Sequence, residues 1–341
     1  MKLKIASLAV LTLLASACAF ARQPDRPRLR DRMAERNTAI PGVIETTLTF
    51  GGARRSYLVL DASHGGAPTP LVLLLHGGGG SGATMIARWQ AKAAAEGLIL
   101  VAPNGIGRRP GSGTWNAGGC CGQAMTSASA DVRFVGAVMD DVIRTARVDA
   151  ARVYVAGLSN GAMLAHRVAI AYPQRLAGVA VVAGALFGDE PAPRAPVAIL
   201  IMHGMKDRVV GFDGGMSPTG RIARAQSKPF KPVSYAVDFW RHVDGCGDAP
   251  TVTTRGDVTT EISNACSAGG EVRFYRLASA DHGWPGPGNG EMPMLGRLRY
   301  DEIDATNVIW DFFKTRARDV GPYSATFQQR GCNKSHTNLK G

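Results

Sequence analysis

Three residue types able to attack a carbonyl and pass protons occur in one order along this 341-residue chain: Ser159, then Asp207, then His282. Ser159 is the centre of Gly157-Leu158-Ser159-Asn160-Gly161, a G-x-S-x-G pentapeptide. A serine hydroxyl is a weak nucleophile near neutral pH. It needs a base, most often an imidazole that a carboxylate holds in one tautomer. The chemistry implied is acyl transfer through a covalent acyl-serine. That chemistry also requires N–H donors where negative charge develops on the carbonyl oxygen. The N–H of Asn160, directly after the nucleophile, is one candidate. The glycine run His76-Gly77-Gly78-Gly79-Gly80 supplies the other half, because glycine lets backbone approach a substrate closely.

Competing residues read differently. Asp213 and Asp281 are the other acids near the expected loops, but Asp281 adjoins His282, so its side chain points away from where an orienting carboxylate must sit. His64, His166, His242 and His336 read as surface or structural histidines. The glycine run is not a phosphate cradle: no Lys-Ser/Thr follows it, and no G-x-G-x-x-G with a ribose-binding acid is present.

These residues need elements to hold them. The run at 153–156 is β-branched and aromatic and reads as a buried strand; 162–172 has helix-forming composition and stops at Pro173. A serine between such a strand and helix occupies a sharp turn, which demands small neighbours at Gly157 and Gly161. Buried strands are expected at 71–75, 98–102, 178–183, 196–202 and 271–277. Helices are expected at 83–96, 130–145, 233–242 and 301–316, and a hairpin at 43–60 turns at Gly51-Gly52. Continuous apolar strands alternating with helices predict a mostly parallel central sheet with helices on both faces. Asp207 and His282 then each follow a strand end.

Length and an ordinary apolar fraction allow one large α/β domain, taken as 41–316. Residues 1–21 read as a secretory signal: Lys2 and Lys4, a short apolar run, and Ala19-Phe20-Ala21 before Arg22. Cys18 offers a lipidation site, the one route to a membrane. The chain is expected to be secreted or periplasmic, or a lipoprotein. Residues 22–40 form an arginine-rich linker and 317–341 a tail. The formal net charge of +12 resembles that of a nucleic-acid binder, but much of it sits on Lys2, Lys4, the arginines between Arg22 and Arg36, and Arg330, Lys334 and Lys340. That distribution argues against a nucleic-acid face.

Cys246 and Cys266 flank a Thr/Gly-rich excursion and are expected to pair, in keeping with export. Cys120 and Cys121 form a vicinal bridge, or one of them reaches Cys332. No second cysteine pair at ligand spacing supports zinc. Trp115 and Trp284 are the aromatics closest to the proposed site along the sequence, either as a wall for an acyl or aryl group or as packing.

Several segments together resemble one family over roughly 43–313. They are Leu75-His76-Gly77-Gly78-Gly79, Trp115-Asn116-Ala117-Gly118-Gly119-Cys120-Cys121-Gly122, Gly157-Leu158-Ser159-Asn160-Gly161-Ala162-Met163, His203-Gly204 with Asp207, and His282-Gly283-Trp284-Pro285-Gly286. The group is similar to the secreted polyhydroxybutyrate depolymerases and feruloyl esterases of the α/β-hydrolase fold. The resemblance implies a carboxylic ester hydrolase without cofactor, with Ser159, Asp207 and His282 as triad and Gly78 and Asn160 as oxyanion donors. Its substrate would be a polyester, aryl or acetyl ester, and a polymeric one is within the group's range. The alternatives are a serine peptidase of the same fold and an idle envelope binding protein. Oligomeric state is not readable.

Overall fold

The computed structural model describes residues 40–109, 111–267, 269–287, 291–292, 296–297 and 300–319. The expected signal with Cys18, the linker up to residue 39, Cys332, His336 and the tail beyond 319 lie outside the described residues.

The chain begins with the hairpin β1 (Val43–Phe50) and β2 (Ala53–Asp61), followed by β3 (Thr69–Leu75), helix α1 (Gly82–Glu96) and β4 (Ile99–Pro103). A small hairpin, β5 (Ile106–Arg109) and β6 (Ser112–Thr114), leads to α2 (Gly122–Thr126) and α3 (Asp131–Thr145). Then come β7 (Val148–Leu158), α4 (Asn160–Ala171), β8 (Gly178–Val182) and β9 (Ile199–Gly204). The last part holds α5 (Gly220–Ala223), α6 (Val233–Val243), β10 (Thr251–Arg255), β11 (Val258–Ser263), β12 (Val272–Leu277) and α7 (Ala305–Phe313).

Ten strands form one sheet in the order β1-β2-β4-β3-β7-β8-β9-β12-β11-β10. The six central strands, β4 through β12, run parallel, and antiparallel hairpins close both edges. Every residue of β3 is buried. Successive side chains of a strand point to opposite faces, so Leu71, Leu73 and Leu75 pack with α3, α4 and α6, while Val72 and Leu74 pack with α1 and α7. This is the expected helix–sheet–helix sandwich. Because the central strands are parallel, their carboxyl ends share one rim, and the loops leaving that rim carry Gly77, Ser159, Asp207 and His282.

Three expectations are corrected. The closing helix starts at Ala305 rather than 301, because the Asp304 carboxylate caps it by accepting the Asn307 N–H. The strand expected at 196–202 starts at Ile199, since the Val197 N–H is spent on the Asp244 carboxylate rather than a ladder partner. The Thr/Gly-rich excursion is the hairpin β10–β11, which extends the sheet from β12.

Candidate active site

The end of β7 turns into α4 within one residue. Ser159 takes φ 54 and ψ −122, a region where a non-glycine residue is strained. The strain is held by crowding on both sides. A Cβ on Gly157 would sit 2.4 Å from the Gly161 carbonyl oxygen, and one on Gly161 would sit 2.3 Å from the Leu75 oxygen. The Ser159 N–H is fixed by the Val182 carbonyl at 2.8 Å. The turn thus lifts the hydroxyl to the rim of the sheet.

Loops after β9 and β12 bring the other two side chains to it. His282 Nε2 lies 2.9 Å from Ser159 Oγ, and His282 Nδ1 lies 2.7 Å from Asp207 Oδ2. With Nδ1 protonated and donating to the carboxylate, Nε2 is left free to accept the serine proton. Asp207 is held in turn: its Oδ1 accepts the N–H groups of Val209 and Val210 at 2.8 and 2.7 Å. Burial alone would raise the Asp207 pKa, but the imidazoles of His282 and His203 outweigh it and hold the carboxyl well below the usual range. Asp281, the rival acid, accepts from the backbone N–H and the guanidinium of Arg208 instead. Asp213 is exposed in the loop after β9.

The glycine loop rests on the elbow. A Cβ on Gly77 would lie 3.5 Å from the Ser159 Cβ, and one on Gly78 would lie 3.6 Å from the Asn160 Cβ. Among the described residues, neither the Gly78 nor the Asn160 N–H has a backbone acceptor outside the helices and strands, whereas Gly79 and Gly80 donate to Gly113 and Gly77. The Gly78 backbone therefore packs against Asn160, the residue that follows the serine.

Two features escaped the sequence reading. His203 brings Nε2 to within 3.3 Å of Asp207 Oδ2 while donating to the Val210 carbonyl. Its spacing of four residues from Asp207 was the available signal. His76 is buried with a pKa pushed by that burial down to about 4, so it is neutral. Its Nε2 accepts the Gly105 N–H, which leaves the proton on Nδ1 for the Gly77 carbonyl.

Trp115 and Trp284 are both buried. They are 0% and 3% exposed, and their indole N–H groups donate to the His76 carbonyl and the Thr306 hydroxyl. Large rings with satisfied N–H groups and no accessible face serve packing. Cys246 and Cys266 are paired, bracketing the β10–β11 hairpin, and Cys120 and Cys121 are paired with each other. Among the described residues, no group of three or more His, Cys, Asp or Glu side chains is arranged to hold a metal ion. No helix among them is long and apolar enough to cross a membrane.

A mostly parallel sheet with a strand–serine–helix elbow and a hydrogen-bonded Ser–His–Asp line defines an α/β-hydrolase. Residues 57–216 match the family described as Esterase PHB depolymerase. "Putative esterase NocK" of Nocardia uniformis subsp. tsuyamanensis is 31% identical over 258 residues, covering 70% of this chain and 73% of that protein. The chain belongs to this esterase family and is a carboxylic ester hydrolase. Feruloyl esterase B of Piromyces equi is 28% identical over 209 residues, which cover 59% of this chain and 36% of the longer enzyme. Among solved structures, acetyl xylan esterase from Aspergillus awamori shares the fold with a TM-score of 0.50 at 13% identity, covering 70% of this chain and 94% of that one.

Proposed function

We propose that Ser159 is the nucleophile of this ester hydrolase, His282 its general base and Asp207 the group that orients the imidazole. The observation that carries the reading is the continuous line of hydrogen bonds, Asp207 Oδ2 to His282 Nδ1 at 2.7 Å and His282 Nε2 to Ser159 Oγ at 2.9 Å. In acylation, Oγ bonds to the ester carbon as Nε2 takes its proton. The carbonyl oxygen becomes an oxyanion facing the N–H groups of Gly78 and Asn160. Collapse breaks the carbon–oxygen bond to the alcohol, which leaves with the proton from Nε2. Water then repeats the sequence on the acyl-serine, with His282 taking its proton and returning it to Ser159 Oγ. No step requires a cofactor. The imidazolium formed midway is stabilised by Asp207, whose charge is secured by His203 and two backbone donors.

For substrate we propose a polyester, an aryl ester such as a feruloyl ester, or an acetyl ester of a polysaccharide, the kinds named by the PHB depolymerase family and the feruloyl and acetylxylan esterase relatives. A paired Cys246–Cys266 supports action in an oxidising compartment outside the cytoplasm. Ser159→Ala tests the assignment on p-nitrophenyl butyrate. We expect turnover to fall by about 10⁴-fold or more, and wild-type turnover by that variant would refute it. Rates on polyhydroxybutyrate oligomers, methyl ferulate and acetylated xylan then rank the substrates.

A further inference from the structure

The Asn160 backbone N–H accounts for only part of what this residue does. Its side-chain Oδ1 accepts the Trp115 N–H at 2.7 Å, and its Nδ2 donates to the Trp115 carbonyl at 3.1 Å. One side-chain amide thus pairs with both polar groups of a single residue, as an adjacent β-strand would. Trp115 continues the connection, its indole N–H donating to the His76 carbonyl at 2.8 Å and its ring lying 4.7 Å from the His76 ring. His76 in turn donates from Nδ1 to the Gly77 carbonyl at 2.8 Å.

The last contact matters because the Gly77 carbonyl and the Gly78 N–H belong to one planar peptide unit. Holding that oxygen toward His76 aims the Gly78 N–H the opposite way, so the His76 contact sets the direction of that donor. The Gly80 N–H, 3.0 Å from the same oxygen, fixes it further. A chain of hydrogen bonds therefore runs from the residue that carries one oxyanion donor to the peptide that carries the other. Asn160 is 2% exposed, and Trp115 and His76 are 0% exposed, so water does not compete for these bonds.

We infer that the Asn160 side chain, Trp115 and His76 are positioning residues that set the separation and aim of the two oxyanion donors. The inference rests on the triad reading above. None of the three side chains touches the reacting atoms. Their effect is geometric: donors act only within about 2.7–3.1 Å of the developing oxyanion, and a displacement of about 1 Å can cost on the order of a hundredfold in rate.

The test uses Asn160→Ala, Trp115→Phe and the double variant of the full chain, with reactive serine counted by fluorophosphonate titration to completion. Asn160→Ala keeps its backbone N–H and loses only the brace; Trp115→Phe keeps a ring and loses the indole donor. We expect kcat per reactive serine on p-nitrophenyl butyrate to fall about ten- to a hundredfold in each, with KM changed less than about threefold. The double variant should lose little more than the worse single one, since both cut one chain. A kcat per reactive serine within about twofold of wild type would overturn the inference, even if the melting temperature fell, and so would losses that multiply in the double variant. Should Asn160→Ala give no soluble protein, Trp115→Phe decides by the same kcat and KM criteria. A wild-type chain that takes up no fluorophosphonate would sink the triad reading instead, so the two failures are distinguishable.

Discussion

The Nε2 atom of His203 lies 3.3 Å from the same Asp207 oxygen that receives the His282 Nδ1–H. Because that nitrogen also donates to the Val210 carbonyl at 2.8 Å, its proton is pinned there and shared toward the carboxylate. Asp207 is thus surrounded by donors from two histidines and two backbone amides. A hydrogen bond to a charged group is worth about 1.5–3 kcal/mol. His203→Phe should accordingly lower kcat/KM by roughly ten- to a hundredfold, and Asp207→Asn by a larger factor, about 10⁴. Steady-state kinetics on p-nitrophenyl butyrate reads both, and an undiminished His203→Phe enzyme would show that the second imidazole is idle.

A buried ion pair anchors the segment next to Trp115. Arg55 contacts Asp131 at 2.6 Å with the guanidinium stacked 3.7 Å over Phe134, and the other Asp131 oxygen accepts the Asn116 N–H beside Trp115. Breaking such a pair leaves one buried charge uncompensated, at about 3–5 kcal/mol. Asp131→Asn should lose stability of that order in urea unfolding. A loss under about 1 kcal/mol would place the pair in the class of solvated bridges.

Asp244 gives a pH dependence whose sign is fixed. Its buried carboxyl accepts the Val197 N–H through Oδ1, while Oδ2 has no partner among the described residues. Burial raises its pKa from 3.8 to about 7. Between those values the folded chain keeps a proton that the unfolded chain has released, so this residue makes the fold less stable as pH rises from about 4 to about 7. His76 and His166, which burial holds neutral at about 4 and about 3, act in the opposite sense below about 6.5. The difference between Asp244→Asn and wild type isolates the carboxyl. The variant's relative stability should increase from pH 5 to pH 8, by an amount on the order of a few kcal/mol. A difference that stays constant over that range would contradict the assignment.

The Cys246–Cys266 bridge encloses the β10–β11 hairpin with a sequence separation of 20. Replacing both cysteines with serine should cost about 3 kcal/mol of stability in the chain-entropy picture. The rate per folded molecule should hold, because the bridge closes the base of the hairpin at the sheet edge rather than the loops that carry Ser159, Asp207 and His282. Urea midpoints and initial rates separate the two effects.

What could be read from the chain alone was what local sterics dictate. Gly157 and Gly161 announce the elbow because no larger residue fits there, and apolar runs such as β3 announce buried parallel strands. Asp207 and His282 were legible because each follows a strand whose end must lie on the same rim. Long-range partners were not legible. Nothing local in Thr251–Arg255 distinguishes an edge strand from a polar excursion; pairing with β11 decides it. Trp115 and Trp284 adjoin the site along the chain, but their rings turn into the core, where the His76 carbonyl and the Thr306 hydroxyl wait as acceptors. The Asn160 side chain was invisible for the same reason, since its partner lies 45 residues away.

Peptide mapping of the full chain after reaction with a fluorophosphonate shows directly whether Ser159 is the nucleophile. One phosphonylated residue is expected, Ser159, with labelling greatly slowed in His282→Ala and absent in Ser159→Ala. A label carried by another residue, or a fully active enzyme with an unmodified Ser159, would contradict it.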